Sequence, residues 1–121
     1  MHMPTVIVNG TTSVVATGTR LVNAIEDSGV RIGHRCGGKA RCTTCRVQFQ
    51  SGEPQTMTSA EHAKLVDREQ LGTYRLACQI LVTHDMELHA EVTLETMPDW
   101  SDTGPRCADQ VEPEHEFPPK P

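Results

Sequence analysis

The chain is poor in the residues that usually build a core by bulk. Only four of its 121 residues are aromatic, so a buried interior has to come from Val, Ile, Leu, Ala and Met. No stretch approaches the roughly 18 consecutive apolar residues of a membrane span, and no charged-then-apolar leader precedes a small-residue cleavage site. A basic face for nucleic acid is missing too, since the formal net charge is −5. Neither a phosphate-cradling glycine loop nor a dinucleotide fingerprint nor a nucleophile–base pair is present, which leaves no candidate substrate site. The cysteine count is odd, five, and disfavours a disulfide framework. These absences predict one small cytoplasmic domain, monomeric, with no membrane or nucleic-acid partner.

One further absence is local. Between Ser28 and Gly52 there is no acidic residue, while Arg31, Arg35, Lys39, Arg41 and Arg46 fall in the same window. Three of the five cysteines, Cys36, Cys42 and Cys45, lie there, with Gly37, Gly38, Thr43 and Thr44 between them.

Local signals predict an α+β domain. Two β-branched runs, 5–8 and 12–17, flank Asn9-Gly10, a pair suited to a tight hairpin turn. The segment 19–29 reads as a helix capped by Thr19, with Leu21, Val22 and Ile25 on its apolar side and Gly29 at its stop. After the cysteine loop, 46–50 alternates as a strand with Val47 and Phe49 on one face. Thr58-x-x-Glu61 has the capping-box pattern and opens a second helix, with Ala60, Ala63, Leu65 and Val66 as its buried side. A third apolar run covers 74–82, and 85–95 alternates Met86, Leu88, Ala90, Val92 and Leu94. The order implies a mixed sheet with a helix packed across it.

The expected domain ends at residue 94. Residues 1–94 hold nine acids and nine bases, so the whole net charge belongs to 95–121, which is also rich in proline. That segment is expected to be an acidic tail, with Trp100 folded back on the body and the residues beyond Cys107 weakly held. Cys107 itself is expected to be an incidental thiol.

The donor set is Cys36-x5-Cys42-x2-Cys45, then 32 residues, then Cys78. Three thiolates on one loop and one on a distant strand suit a metal site closed by folding. Zinc takes four thiolates, usually from two paired knuckles, and Cys78 has no partner two to four residues away. A 2Fe-2S cluster also takes four thiolates and uses a three-plus-one pattern. Gly37 and Gly38 would let backbone N–H groups approach sulfide, and Thr43 and Thr44 can donate hydroxyl hydrogen bonds. The bases would favour the reduced, more negative cluster. Arg75 could add positive field beside Cys78, or could be a surface residue at a strand edge. His62, His84, His89 and His115 show no ligand spacing and read as surface residues, while His34, two residues before Cys36, could make the potential pH-dependent or be an exposed loop histidine.

"CGGKARCTTCRV" together with "YRLACQ" resembles the 2Fe-2S ferredoxins, the β-grasp electron carriers of plant and adrenodoxin type. The resemblance runs over about residues 4–94. It implies a 2Fe-2S cluster held by Cys36, Cys42, Cys45 and Cys78, the first two on one iron and the last two on the other. The x5 first gap is closer to the adrenodoxin-like branch than to the x4 of plant-type members. The implied activity is one-electron transfer from a flavoprotein ferredoxin reductase to an oxygenase, a P450 or another redox acceptor protein, without a substrate of its own. A cluster-bearing sensor or iron–sulfur assembly protein is the alternative, and a zinc-stabilised binding module a more distant one. The basic loop departs from the acidic docking surfaces of these relatives, so the resemblance does not name the partners.

Overall fold

A computed structural model of the chain describes residues 3–33, 45–91, 93 and 111. Cys36, Cys42, Cys107, Trp100, His34 and His115 lie outside the described residues, as do Val92 and Leu94. Val111, within the acidic tail, is buried.

The first hairpin forms where the sequence predicts it. β1 (Thr5–Val8) and β2 (Thr11–Val14) pair antiparallel, Thr5 with Val14 and Val8 with Thr11. Asn9 and Gly10 between them have φ 50° and 82°. Two successive left-handed residues match the right-handed twist of the flanking strands, which is why Asn-Gly suits the turn. β2 is shorter than the predicted run 12–17. The Val15 N–H still reaches Pro4 O at 2.9 Å, one step beyond the Thr5–Val14 pair, and the chain then turns at 16–19.

Helix α1 spans Leu21–Asp27 and buries Leu21, Val22, Ala24 and Ile25. Its start corrects the expected Thr19 cap. Thr19 Oγ1 donates back to Ala16 O at 2.7 Å, and Arg20 occupies the capping position without a side-chain cap bond. The first helical N–H is satisfied from across the fold, Leu21 N donating to Ile80 O at 2.8 Å. Thr19 O accepts from Val82 N, also at 2.8 Å. A tertiary partner has replaced the local cap, which is permitted because the helix end asks only for acceptors. Gly29, at φ 102°, ends the helix as expected.

β3 (Arg46–Ser51), β4 (Arg75–Leu76) and β5 (Met86–Ala90) complete a five-stranded sheet in the order β2-β1-β5-β3-β4. β5, the last strand in sequence, lies in the centre, parallel to β1 and antiparallel to β3. Its alternation is as predicted, with Met86, Leu88 and Ala90 buried and Glu87 and His89 exposed. Among the described residues this is the α+β, mixed-sheet architecture the sequence implied, with α1 packed against β1 and a 3-10 turn at Ala77–Gln79, and α2 (Ser59–Asp67) against β4.

Two expectations need correction. The buried side of α2 is Leu65 with Glu61, while Ala63 and Val66 are exposed. The helix lies at the margin of the core, so few of its apolar residues are needed inside. The run 74–82 is only briefly a strand: after β4 it becomes a 3-10 turn, Ala77–Gln79, which redirects the chain towards α1.

Gly52 follows a register shift between Phe49 and Ser51 in the β3–β5 pairing. Its φ is 77°, and a Cβ there would collide with the backbone carbonyl oxygen of Asp85. Gly10, at φ 82°, has open space around it. Gly52→Ala is therefore expected to destabilise the protein by about 2–3 kcal/mol, against about 1 kcal/mol for Gly10→Ala. Urea unfolding of the two variants checks the order, and equal losses would show that the Asp85 contact is easily relieved.

Candidate cluster site

Two of the four predicted ligands are brought together by strand pairing. In the β3–β4 ladder Arg46 faces Leu76 and Val47 faces Arg75. One step beyond, Ala77 N donates to Cys45 O at 3.1 Å. Cys45 thus stands just before β3, and Cys78 just after β4 in the 3-10 turn. Both are buried, 1% and 0% exposed, and both belong to the main apolar core. The other end of the cysteine loop is rooted as well: Ile32, fully buried, bridges to buried Thr93.

Two buried polar side chains also touch Cys78. Arg20, 1% exposed, donates from Nε to Cys78 O at 2.7 Å. Gln79 Nε2 lies 3.5 Å from Cys78 Sγ and is a hydrogen-bond donor to it. A thiol enclosed in apolar surroundings keeps its proton, whereas a metal-bound thiolate needs donors around the sulfur. The described donor chemistry, two buried cysteines with an amide N–H on one sulfur, fits an iron–sulfur cluster.

Arg75 is not the surface residue at a strand edge that was one of the two roles open from the sequence. It is 4% exposed and closes a clamp under the ligand turn. Nε donates to Glu61 Oε2 at 2.7 Å and Nη2 to Glu61 Oε1 at 3.1 Å. The remaining hydrogens go to Pro54 O at 2.9 Å, Thr56 O at 2.7 Å and Glu53 Oε2 at 3.3 Å. Glu61 Oε2 also accepts from Leu76 N at 2.9 Å. One carboxylate and one guanidinium join α2, the 53–56 turn and β4.

Half of the capping box survives in this arrangement. Thr58 Oγ1 accepts from Glu61 N at 3.1 Å, as predicted, but the Glu61 carboxylate turns to Arg75. Burial pushes the Glu61 carboxyl above its ordinary value, against the pull of Arg75 and Leu76 N–H. Burial also works against charge on Arg75, but hydrogen bonding and charge from Glu61 and Glu53 outweigh it and hold that guanidinium above its ordinary value.

The acid-free window does not stay acid-free in three dimensions. Arg46 Nη2 meets Glu91 Oε1 at 3.2 Å, and its guanidinium lies 5.7 Å from the Tyr74 ring centre. The Tyr74 hydroxyl bonds Glu91 and, with Arg46, holds that carboxyl below its ordinary value. Arg31 is exposed, and Arg35, Lys39 and Arg41 lie outside the described residues. His84 and His89 are surface residues as read, and His84 Nε2 bonds Gly52 O at 2.8 Å. Sequence reasoning missed Arg20 and Gln79. Gln79 carried a signal, being adjacent to the fourth cysteine, while Arg20 carried none.

Removing one member of a buried ion pair strands the other, which typically costs about 3–5 kcal/mol. Glu61→Ala and Arg75→Ala are each expected to lose stability in that range. The double variant is expected to lose far less than the sum, because neither charge is then left alone. Urea unfolding of all three closes the cycle, and additive losses would show that the two side chains are not coupled.

The family model described as the 2Fe-2S iron-sulfur cluster binding domain matches residues 6–83. One subunit of the Na(+)-translocating NADH-quinone reductase of Chlamydia felis is 35% identical over 92 residues, 76% of this chain and 21% of that subunit. The chain spans about a fifth of the length of such curated relatives. Among solved structures, the covalent putidaredoxin reductase–putidaredoxin complex matches with TM-score 0.57 and 27% identity, covering 71% of this chain and 96% of that chain. An ISC-like 2Fe-2S ferredoxin from Pseudomonas putida shares the fold, with TM-score 0.61 and 23% identity over 74% of this chain and 93% of that one. The zinc alternative falls with these matches. The chain belongs to the 2Fe-2S iron-sulfur cluster binding domain family, a ferredoxin-like electron carrier whose cofactor is a 2Fe-2S cluster.

Proposed function

We propose that Cys36, Cys42, Cys45 and Cys78 hold the cluster, within a domain of residues 1–94 to which 95–121 form an acidic extension. The domain takes electrons from a flavoprotein reductase and passes them singly to an oxygenase, a P450 or a comparable redox protein, in the cytoplasm. The observation that carries this reading is that Cys45 and Cys78, both buried, stand at the adjoining ends of β3 and β4, where Ala77 N donates to Cys45 O. Putidaredoxin, bound to its reductase in a matched structure, supports a reductase as donor. The likeness to one component of an NADH-quinone reductase favours a second reading, in which the donor and acceptor belong to one larger complex. No helix among the described residues is long and apolar enough to cross a membrane.

When bound, the cluster supplies reversible one-electron chemistry. The chain supplies the rest. Core residues around Cys45 and Cys78 exclude water, and Arg20 and the Glu61–Arg75 clamp hold the turn that carries Cys78.

Serine in place of Cys36, Cys42, Cys45 or Cys78 is expected to abolish or severely destabilise the cluster, because a hydroxyl binds iron poorly at neutral pH. Cys107→Ser should leave the visible and EPR spectra unchanged. Loss of iron from the Cys107 variant, or a native spectrum in any of the other four, would overturn the ligand set.

Docking is tested by salt. Exposed Arg31 and the bases Arg35, Lys39 and Arg41 ask for an acidic partner surface. Electron-transfer rates measured by stopped flow should fall as ionic strength rises, and Lys39→Glu should slow them at low salt. Rates that stay flat with salt and are equal in the variant would remove the basic window from the interface.

A further inference from the structure

Gln79 is 1% exposed, and its amide bridges two buried groups. On one side Thr58 Oγ1 and Gln79 Oε1 are 2.8 Å apart. On the other, Gln79 Nε2 stands 3.5 Å from Cys78 Sγ, an ordinary length for an N–H···S bond, and 3.5 Å from Cys78 O.

The direction of this chain follows from hydrogen counting. Thr58 Oγ1 already accepts from Glu61 N at 3.1 Å, the bond that caps α2. A hydroxyl has one proton, and Gln79 is the group within its reach to receive it, so Oε1 must face Thr58. Turning the amide over would leave that buried proton unpaired and set a carbonyl oxygen against the sulfur. The helix cap therefore orders the amide, and the amide aims its N–H at the sulfur of Cys78.

We infer that Thr58 and Gln79 form a hydrogen-bond relay that donates to the Cys78 sulfur and raises the reduction potential of the site. This rests on the reading of Cys78 as a cluster ligand. A donor to a ligand sulfur withdraws electron density, and its bond strengthens when an added electron makes that sulfur more negative. Burial keeps water from substituting for the donor. Gln79 makes the contact, and Thr58 is a positioning residue that acts through it.

The test is the reduction potential of the holoprotein by optical redox titration in Gln79→Met, Thr58→Val and Thr58→Ser. Gln79→Met keeps the volume and removes the donor. At fixed solution potential the ratio of reduced to oxidised protein should fall about tenfold, a shift of about −59 mV for one electron. Thr58→Val should shift it in the same direction by about threefold, and Thr58→Ser, which keeps the hydroxyl, should retain the native potential. Intact spectra with unmoved potentials in Gln79→Met and Thr58→Val overturn the relay. If Gln79→Met fails to assemble, the two Thr58 variants decide: a potential lowered by Val and restored by Ser supports the relay, and equal potentials overturn it. Cys78→Ser separates the underlying reading. Loss of the cluster there alongside unmoved relay variants sinks the relay alone, whereas a native spectrum and potential sink the ligand assignment and the relay with it.

Discussion

A two-residue strand cannot hold itself in place, and the location of Cys78 depends on what grips β4 from outside. The grip is the Arg75 guanidinium, fully engaged by Glu61, Glu53 and two backbone carbonyls. Glu61 at the same time accepts from Leu76 N, so the carboxylate that anchors Arg75 also anchors the backbone next to it. From Leu76 the chain needs only the 3-10 turn to set Cys78 beside Cys45. The clamp joins the turn at 53–56, the start of α2 and β4 at one point, and the Thr58–Gln79 bond ties the start of α2 to the Cys78 turn a second time.

The same neighbourhood shows how a core with so little bulk is held together around Cys78. Four aromatic residues leave little bulk to fill an interior. The described core instead interleaves aliphatic packing with buried polar side chains, Arg20, Thr58, Glu61, Arg75 and Gln79, all of them bonded to backbone or to one another. Such bonds are directional, so they hold a geometry that packing alone would let drift. They converge on the segment from Arg75 to Gln79, where small displacements would matter most to a ligand. The price is desolvation, visible in the raised carboxyl of Glu61.

What could be read from the chain acts within a few residues. Asn9-Gly10 makes its own turn, Thr58 caps its own helix, Gly29 ends one, and the alternation from Met86 to Ala90 assigns the faces of its own strand. The misreadings share a different cause. Thr19 looked like a cap because its competitor, Ile80 O, is remote in sequence. Arg46 looked like one of several unopposed bases because Glu91 lies 45 residues away. The run 74–82 looked like a strand because its apolar character reflects burial on every side, which a turn inside the core shares with a strand.

The cysteine spacing, read with its glycines and threonines, by itself pointed to a four-thiolate donor set of three-plus-one form, because the number and kind of available thiolates are properties of the residues and their order. The tertiary structure decided which groups surround the donors it describes. Arg20 reaches the Cys78 carbonyl across 58 positions, and the cap of α2 reaches the Cys78 sulfur through Gln79. Neither contact has a local signature, since each depends on packing that brings a donor from one element against an acceptor carried by another.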